Sequence, residues 1–226
     1  MRLAAVPRLL RDSLEAVLVA VLFAFFVRTF VLQAFRIPTS SMEPGLLVGD
    51  HVLVNKFVYG PSRWAWERAL LPLAAVARGD VVVFRYPRDA SRDFVKRCVA
   101  TGHDQLALRA KRLSVNGVPV DERGYVRLVD EAIYPDSPFL EDVYRRRDHL
   151  RPLGLAADQL FCLGDNRDVS NDSRYWGPVP RSFVKGRALL VYWSVAPSQG
   201  RGQPLAAAVL DVSRRTRWRR TLQLVR

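Results

Sequence analysis

The chain has 226 residues, of which 49% are hydrophobic and 25% charged, and its 35 Lys and Arg against 22 Asp and Glu give a net charge of +13. This composition excludes a disordered or collagen-like chain, because either would hold fewer apolar residues or more Gly and Pro. Two cysteines, Cys98 and Cys162, with no C-x-x-C pair exclude a disulfide scaffold and a thiolate zinc site, and leave open whether these two thiols pair.

An apolar segment follows a short basic stretch at the N-terminus. Residues 16–27 contain no polar side chain, and counting from 14 to 35 reaches the roughly 20 residues that a bilayer requires. A cleavable signal peptide would begin in the same way, but no small-x-small site follows the apolar core. We predict a cytoplasmic segment at 1–13, a single transmembrane helix at 14–35 and a domain beyond the membrane at 36–226, with a buried core helix as the alternative.

Short strands separated by turns are predicted along most of the remaining chain. A Pro/Ser/Gly loop at 37–45 leads into alternating residues at 46–58, which predict a strand pair. Residues 60–78 predict a loop or short helix, whose Trp64 and Trp66 suit a membrane interface. Further strands are predicted at 79–87, 93–101, 113–120, 159–163 and 187–195, and a polar surface stretch at 135–155. The fold class is therefore a mainly β domain of antiparallel sheets, barrel-like, behind one N-terminal helix.

Lys96 lies among apolar residues in a segment that otherwise has the pattern of a buried strand. A lysine that points into water from an edge strand is the ordinary explanation. If the side chain points inward, desolvation disfavours the ammonium form and lowers the pKa, so that a usable fraction is neutral near pH 7 and can act as a base. Thr39, Ser40 and Ser41 offer hydroxyls that such a base could deprotonate.

A polar run at 164–174 reads Gly-Asp-Asn-Arg-Asp-Val-Ser-Asn-Asp-Ser-Arg. Such runs are usually solvated turns whose Asx side chains bond their own backbone. Here an apolar strand at 161–163 precedes the run, and Tyr-Trp-Gly-Pro follows it at 175–178. These flanking segments tie the run to the core at both ends and favour a buried polar network.

Five features in order along the chain resemble bacterial type I signal peptidases (leader peptidases), the membrane-anchored Ser/Lys proteases that remove signal peptides from exported proteins. They are the N-terminal apolar segment, Ile-Pro-Thr-Ser-Ser-Met-Glu-Pro at 37–44, Gly-Asp-Val-Val-Val-Phe at 79–84, Val-Lys-Arg at 95–97 and the run at 164–174. The resemblance extends from about residue 14 to Arg-Trp-Arg at 217–219. It implies a signal peptidase fold and a serine endopeptidase that cleaves exported preproteins after a small-x-small (Ala-x-Ala) site.

The resemblance also implies roles for individual residues. Ser41 matches the nucleophile, and Lys96 matches its general base. The Ser41 N–H and the Thr39 hydroxyl match the groups that hold the oxyanion formed on attack. An extended substrate is expected to add its backbone to a strand edge beside these residues.

Other matched residues form a supporting framework and the substrate pockets. Ser170 matches a serine that hydrogen-bonds the lysine, Asp172 and Arg174 match a buried ion pair, and Asp165 matches a part of the same framework. Two small apolar pockets that accept Ala are implied by Phe35, Ile37, Pro38, Met42, Leu46, Val52, Val83, Phe94 and Val95.

Two segments depart from the family pattern. Residues 100–104 read Ala-Thr-Gly-His-Asp where the family usually has Gly-Leu-Pro-Gly-Asp, and Val169 stands where the family has Asn. Neither change removes an implied role. The region at 104–160 is predicted to be a variable insert, and the Arg-rich tail at 213–226 is interpreted as a contact with anionic lipid.

The expected partners are exported preproteins and membrane lipids, the latter through Trp64, Trp66 and the Arg-rich tail. The chain lacks clustered metal ligands and a glycine-rich phosphate loop, so we expect no cofactor, no metal and no nucleic acid, and a monomer. The implied location is the bacterial cytoplasmic membrane, with the catalytic domain periplasmic. One alternative is a membrane-anchored binding module without catalysis. The other is a Ser/Lys self-cleaving repressor, which needs a helix-turn-helix where the apolar segment stands.

Overall fold

The structure is a computed structural model, and it describes residues 8–56, 58–59, 74–197 and 211–225. Trp64 and Trp66, predicted to lie at a membrane interface, are outside these residues. The described chain begins with a helix and continues as two antiparallel sheets. The prediction of a mainly β, antiparallel domain is therefore confirmed.

Helix α1 spans Arg8–Phe26 and continues through a π-helical turn at Val27–Val31. Within the residues described, we find no helix with both the length and the apolar character needed to span a bilayer. The chain then becomes extended, and Leu32–Arg36 forms strand β1. The predicted helix at 14–35 is thus wrong at its C-terminal end, because residues 32–36 satisfy their backbone groups by pairing with a second strand.

The larger sheet contains eight of the described strands. They are β1, β2 (Asp50–Asn55), β3 (Val81–Tyr86), β4 (Asp89–Ala100), β9 (Gln159–Leu163), β10 (Val179–Pro180), β11 (Val184–Ser194) and β12 (Gln223–Leu224). Their order in space is β1-β2-β11-β3-β4-β9-β10, with β12 paired to β11. Strand β2 alternates buried and half-buried residues, as expected where one face of a sheet covers a core.

The smaller sheet lies within the predicted insert at 104–160. Its strands are β5 (Gln105–Arg109), β6 (Arg112–Val115), β7 (Val118–Pro119) and β8 (Leu150–Gly154), in the order β7-β6-β5-β8. Asn116 and Gly117 join β6 to β7 with φ angles of 54° and 78°. Two positive φ angles are the requirement of the tight hairpin turn that Asn-Gly predicts. Helix α2 (Asp142–Asp148) and β8 occupy the stretch predicted to be polar surface, and helix α3 (Ser173–Trp176) follows β9.

Five of the predicted strands are present, and the strand pair at 46–58 is not. Only Asp50–Asn55 is a strand there. The residues before it turn back, because the Leu46 N–H donates to the Met42 carbonyl at 2.8 Å and the Leu47 N–H donates to Oδ2 of Asp50 at 2.8 Å. A side chain that captures a nearby backbone N–H competes with strand pairing.

Candidate active site

Ser41 lies in a single 3-10 turn, Ser40–Met42, directly after β1 and its loop. Met42 is buried in the core of the larger sheet and anchors the turn from below. From the other side, the Asn166 N–H donates to the Ser41 carbonyl at 3.1 Å, and Nδ2 of Asn166 donates to the Ser40 carbonyl at 3.3 Å. The turn is therefore clamped between the core and the polar run at 164–174. Asn166 belongs to that run, but sequence analysis did not assign it a role.

Lys96 lies on β4 with its side chain pointing inward. It is 4% exposed, and its Nζ lies 2.5 Å from Oγ of Ser41. Burial lowers the pKa of Lys96 to about 8, and the nearby Asp172 charge opposes this shift while Arg174 adds to it. With that pKa, about a tenth of the lysine is neutral at pH 7. The neutral amine can accept the proton of the Ser41 hydroxyl.

Two hydrogen-bond donors lie beside the Ser41 hydroxyl. Oγ1 of Thr39 is 3.4 Å from Oγ of Ser41. The Ser41 N–H belongs to the first turn of the short helix, where backbone N–H groups lack partners within the helix. Together these two donors can stabilise a negative charge that develops next to the Ser41 hydroxyl.

Asp172 and Arg174 form a buried ion pair behind Lys96. Nε of Arg174 donates to Oδ1 of Asp172 at 2.8 Å and Nη2 donates to Oδ2 at 2.9 Å, and both side chains are at most 1% exposed. Burial by itself would raise the pKa of Asp172, but the Arg174 charge and hydrogen bonds outweigh it and hold this pKa below its usual range. The Gly164 N–H also donates to Oδ2 of Asp172, at 3.1 Å.

Ser170 differs from its implied role. Its Oγ is buried, and it has no hydrogen-bond partner within the described part of the chain. The implied bond to Lys96 is therefore not made in this conformation, in which Lys96 donates to Ser41 instead. Gly164 packs against Ser170 so closely that an added Cβ would overlap Oγ of Ser170 and lie 2.5 Å from the Ser41 carbonyl oxygen. A glycine is thus required at 164 by close packing.

Asp165 is paired with Arg97, the residue that follows Lys96 on β4. Nε and Nη2 of Arg97 each donate to the carboxylate at 2.7 Å. Burial raises the pKa of Asp165, and the Arg97 bonds offset part of this shift. The Tyr125 ring covers the Arg97 guanidinium, with 4.3 Å between the guanidinium carbon and the ring centroid. Arg97 was overlooked as a site residue, although the quoted Val-Lys-Arg motif contains it.

A groove of about 470 Å³ opens beside Ser41 and Lys96. Six of the nine predicted pocket residues line it: Phe35, Ile37, Pro38, Met42, Phe94 and Val95. The other three, Leu46, Val52 and Val83, are at most 1% exposed and pack in the core beneath Ile37 and Met42. They support the groove from below: Val52 and Val83 point inward from strands β2 and β3, and Leu46 does so from the turn before β2. Sequence analysis did not select the polar lining residues Arg36, Arg92, Asp93 and Asn171.

The Arg-rich tail is partly built into the domain. Arg220 Nη2 donates to Oδ2 of Asp50 at 2.6 Å, and Nη1 of Arg217 lies 3.8 Å from Oδ1 of the same buried carboxylate. These two partly exposed arginines are therefore already paired with a buried carboxylate of the domain. Arg214 and Arg219 are exposed.

Cys98 and Cys162 face each other across β4 and β9 as free, fully buried thiols. Burial raises the pKa of Cys162 above its usual range. The pairing question left open by the sequence is answered for this state, in which the two residues pack as small apolar side chains.

Comparison with known proteins identifies the family. The family model described as "Signal peptidase, peptidase S26" matches residues 10–193. The chain belongs to the signal peptidase family. It is 37% identical to the signal peptidase I of Pseudomonas aeruginosa over 77% of this chain and 69% of that protein. It is 30% identical to the signal peptidase I of Aquifex aeolicus over 82% of this chain and 85% of that protein.

A solved signal peptidase I structure from Enterococcus faecalis aligns with a TM-score of 0.37 and 23% identity, covering 50% of this chain and 97% of that one. The family and the relatives confirm the resemblance seen in the motifs. This member of the signal peptidase family is accordingly a type I signal peptidase, a serine endopeptidase that processes signal peptides.

Proposed function

We propose that this signal peptidase cleaves preproteins with Ser41 as the nucleophile and Lys96 as the general base. One observation carries the proposal: a lysine that is 4% exposed, with a pKa lowered to about 8, has its Nζ 2.5 Å from a serine Oγ. A serine hydroxyl is a weak nucleophile until an adjacent base removes its proton. None of the three histidines of the chain lines the groove, so we assign the role of general base to Lys96.

The proposed reaction has two steps. Ser41 Oγ attacks the scissile carbonyl carbon while its proton passes to neutral Lys96. The resulting ammonium then returns this proton to the leaving amine as the C–N bond breaks, which leaves an ester between Ser41 and the signal peptide. In the second step Lys96 takes a proton from water, the hydroxide attacks the ester carbonyl, and the proton returns to Ser41 as the C–O bond breaks.

The negative charge that develops on the carbonyl oxygen needs donors already in place. We assign them to the Ser41 N–H and the Thr39 hydroxyl, whose Oγ1 is 3.4 Å from Oγ of Ser41. Donors aimed at the position of the developing charge stabilise the transition state more than the ground state. The Asp172–Arg174 pair and Asp165 act as positioning groups, because they fix the run that packs against the Ser41 turn and Lys96.

Two unpaired strand edges flank the groove and suit an extended substrate. Among the described residues β1 pairs only with β2, and the pairing of β4 with β9 begins at Arg97, so residues 93–96 pair on one side only. An extended peptide laid between these edges can satisfy its backbone hydrogen bonds on both sides. The scissile bond then lies at the Ser41 end, and the residues before it run back along Phe35 and Phe94.

The groove walls predict small residues at the first and third positions before the cut. The pockets beside Ser41 are shallow, because the side chains that line them, Ile37, Met42 and Val95, also pack on the core and cannot move aside. We expect a preprotein with Ala at both positions to be cleaved after the second Ala, and Leu at either position to reduce kcat/KM by about a hundredfold or more, since a large side chain meets a packed wall. Mass spectrometry of the products and initial rates with Ala, Ser and Leu at each position give the measurement. Equal rates for Ala and Leu would contradict these pockets.

The proposal includes a membrane location, with α1 as a single-pass anchor, residues 1–13 cytoplasmic and the catalytic domain periplasmic. The support is the exposed apolar surface of α1, where the successive residues Val17, Leu18 and Val19, which point to different sides of the helix, are 58–65% exposed. Apolar side chains exposed all around a helix are stable in lipid rather than in water. The exposed Arg214 and Arg219 are placed to contact anionic lipid headgroups.

Carbonate extraction tests this location. The wild-type chain is expected to stay in the membrane pellet, and a Leu18→Glu/Leu22→Glu variant to be released, because each buried carboxylate costs about 2.5–3.5 kcal/mol in a bilayer core. Leu128→Glu is the control, since Leu128 is also exposed, at 51%, but lies in the catalytic domain. Release of the wild-type chain by carbonate would contradict the anchor.

A further inference from the structure

Two arginines that line the groove form no ion pair within the described residues, although the Asp89 carboxylate lies close enough to Arg92 for its pKa to be lowered slightly by that charge, after its hydrogen bonds with Ser91. Arg36 follows Phe35 on β1 and Arg92 lies on β4; both are exposed and line the groove. Neither forms an ion pair with an acidic residue in the described part of the chain. The one carboxylate in the groove wall, Asp93, is already paired, since Nζ of Lys185 donates to it at 2.7 Å. The lining charge is therefore positive even before substrate binds.

The Arg92 guanidinium lies over two aromatic rings, and one of them, Phe94, also lines the groove. Its central carbon lies 5.7 Å from the Phe94 ring centroid and 5.9 Å from that of Tyr86, and these two rings stack at 4.5 Å. Nζ of Lys96 also lies over the Phe94 ring, at 5.7 Å. Arg92, Phe94 and Lys96 thus share one face of β4, as residues two apart on a strand do.

This spacing places the positive charge at a definite distance from the cut. Arg92 precedes Lys96 by four residues, which is about 13 Å of strand. Arg36 precedes Ser41 by five residues on the opposite wall. Both arginines therefore lie on the side of the dyad that holds the residues before the scissile bond, beyond the two apolar pockets. A substrate in extended form reaches them with its fourth and fifth residues before the cut.

We infer that Arg36 and Arg92 select signal peptides by charge, favouring an acidic side chain and disfavouring a basic one at the fourth and fifth positions before the cut. The inference rests on the proposed function, because it needs the substrate to lie in the groove. An ion pair at an exposed site contributes modestly, so each arginine is expected to change the preference by about two- to fivefold.

The test compares one preprotein with an Ala-x-Ala site that carries Glu, Gln or Lys at the fourth or fifth position before the cut. The full chain is assayed in an uncharged detergent, so that anionic lipid does not compete for the arginines. The wild type should show kcat/KM in the order Glu, Gln, Lys, and this preference should shrink as NaCl is added. Arg92→Glu and Arg36→Glu should each lower the ratio of kcat/KM for the Glu substrate to kcat/KM for the Lys substrate (the Glu-to-Lys ratio).

Arg112→Glu is the matched control, because Arg112 is an exposed arginine on β6 of the other sheet. It makes the same change in net charge and should leave the Glu-to-Lys ratio as in the wild type. An unchanged ratio in both groove variants, or the same change in the control, would overturn the inference. Failure of the wild type to cut even the Gln substrate would instead contradict the proposed function.

Discussion

Replacing Lys96 by Met is expected to lower kcat for preprotein cleavage by about 10³- to 10⁴-fold, since we propose that the buried amine is the base that activates the serine. Ser41→Ala should lose as much or more, because the covalent route is removed with the hydroxyl. The measurement is the initial rate of cleavage of an Ala-x-Ala preprotein by detergent-solubilised enzyme, with circular dichroism to confirm that each variant is folded. Methionine fills the volume of the lysine stem without a base.

Two further substitutions serve as controls for the loss of a hydroxyl and for the loss of a lysine charge. Ser40→Ala removes the adjacent hydroxyl, and Lys185→Met removes a lysine that is paired at the surface end of the groove. Both variants should retain most of the activity. A folded Lys96→Met enzyme with substantial cleavage would contradict the assignment of the base, and the same result for Ser41→Ala would contradict the nucleophile.

Breaking the buried ion pair behind the dyad is expected to lower the free energy of unfolding strongly. Arg174→Met leaves the Asp172 carboxylate, which is 0% exposed, without its counter-charge, and the expected loss is about 3–5 kcal/mol. The measurement is chemical denaturation followed by tryptophan fluorescence. The double variant Asp172→Asn/Arg174→Met should recover part of the loss, because no unpaired charge then remains buried.

Arg123→Met provides the comparison, since Arg123 also pairs with an aspartate two residues away, Asp121, but at the surface, where the two side chains are 91% and 65% exposed. An exposed pair contributes little, so this variant should unfold like the wild type. If Arg174→Met were equally stable, the pair would have no structural role, and its proposed function in holding the Ser41 turn would fail.

The strands that sequence predicted well have turn residues on both sides. Residues 159–163 were predicted and observed with the same bounds, and the strand predicted at 79–87 contains β3. By contrast, the sequence places residues 32–35 of β1 in the apolar anchor. Their composition suits a helix in lipid as well as a strand, and only pairing with a segment some 20 residues later decides between them. Such tertiary pairing leaves no local signal.

The candidate site, like the strands, was predictable only where the sequence carries a local signal. Ser41 and Lys96 lie in motifs that carry the family resemblance, so they could be proposed as the dyad from the sequence alone. The Arg97–Asp165 pair joins residues 68 positions apart, and the sequence holds no direct sign of this contact. Val83 matched a pocket position, but the direction of its side chain depends on strand register, and a shift of one residue reverses it.

The pH dependence of kcat/KM tests the central claim, that a neutral Lys96 activates Ser41. This parameter reports ionisation of the free enzyme. With a Lys96 pKa of about 8, it should rise about tenfold per pH unit below that value and level off above it. The plateau arises because the amine is then fully neutral. A profile that is flat from about pH 6 to 9.5, or one governed by a group near the ordinary pKa of histidine, would contradict the account.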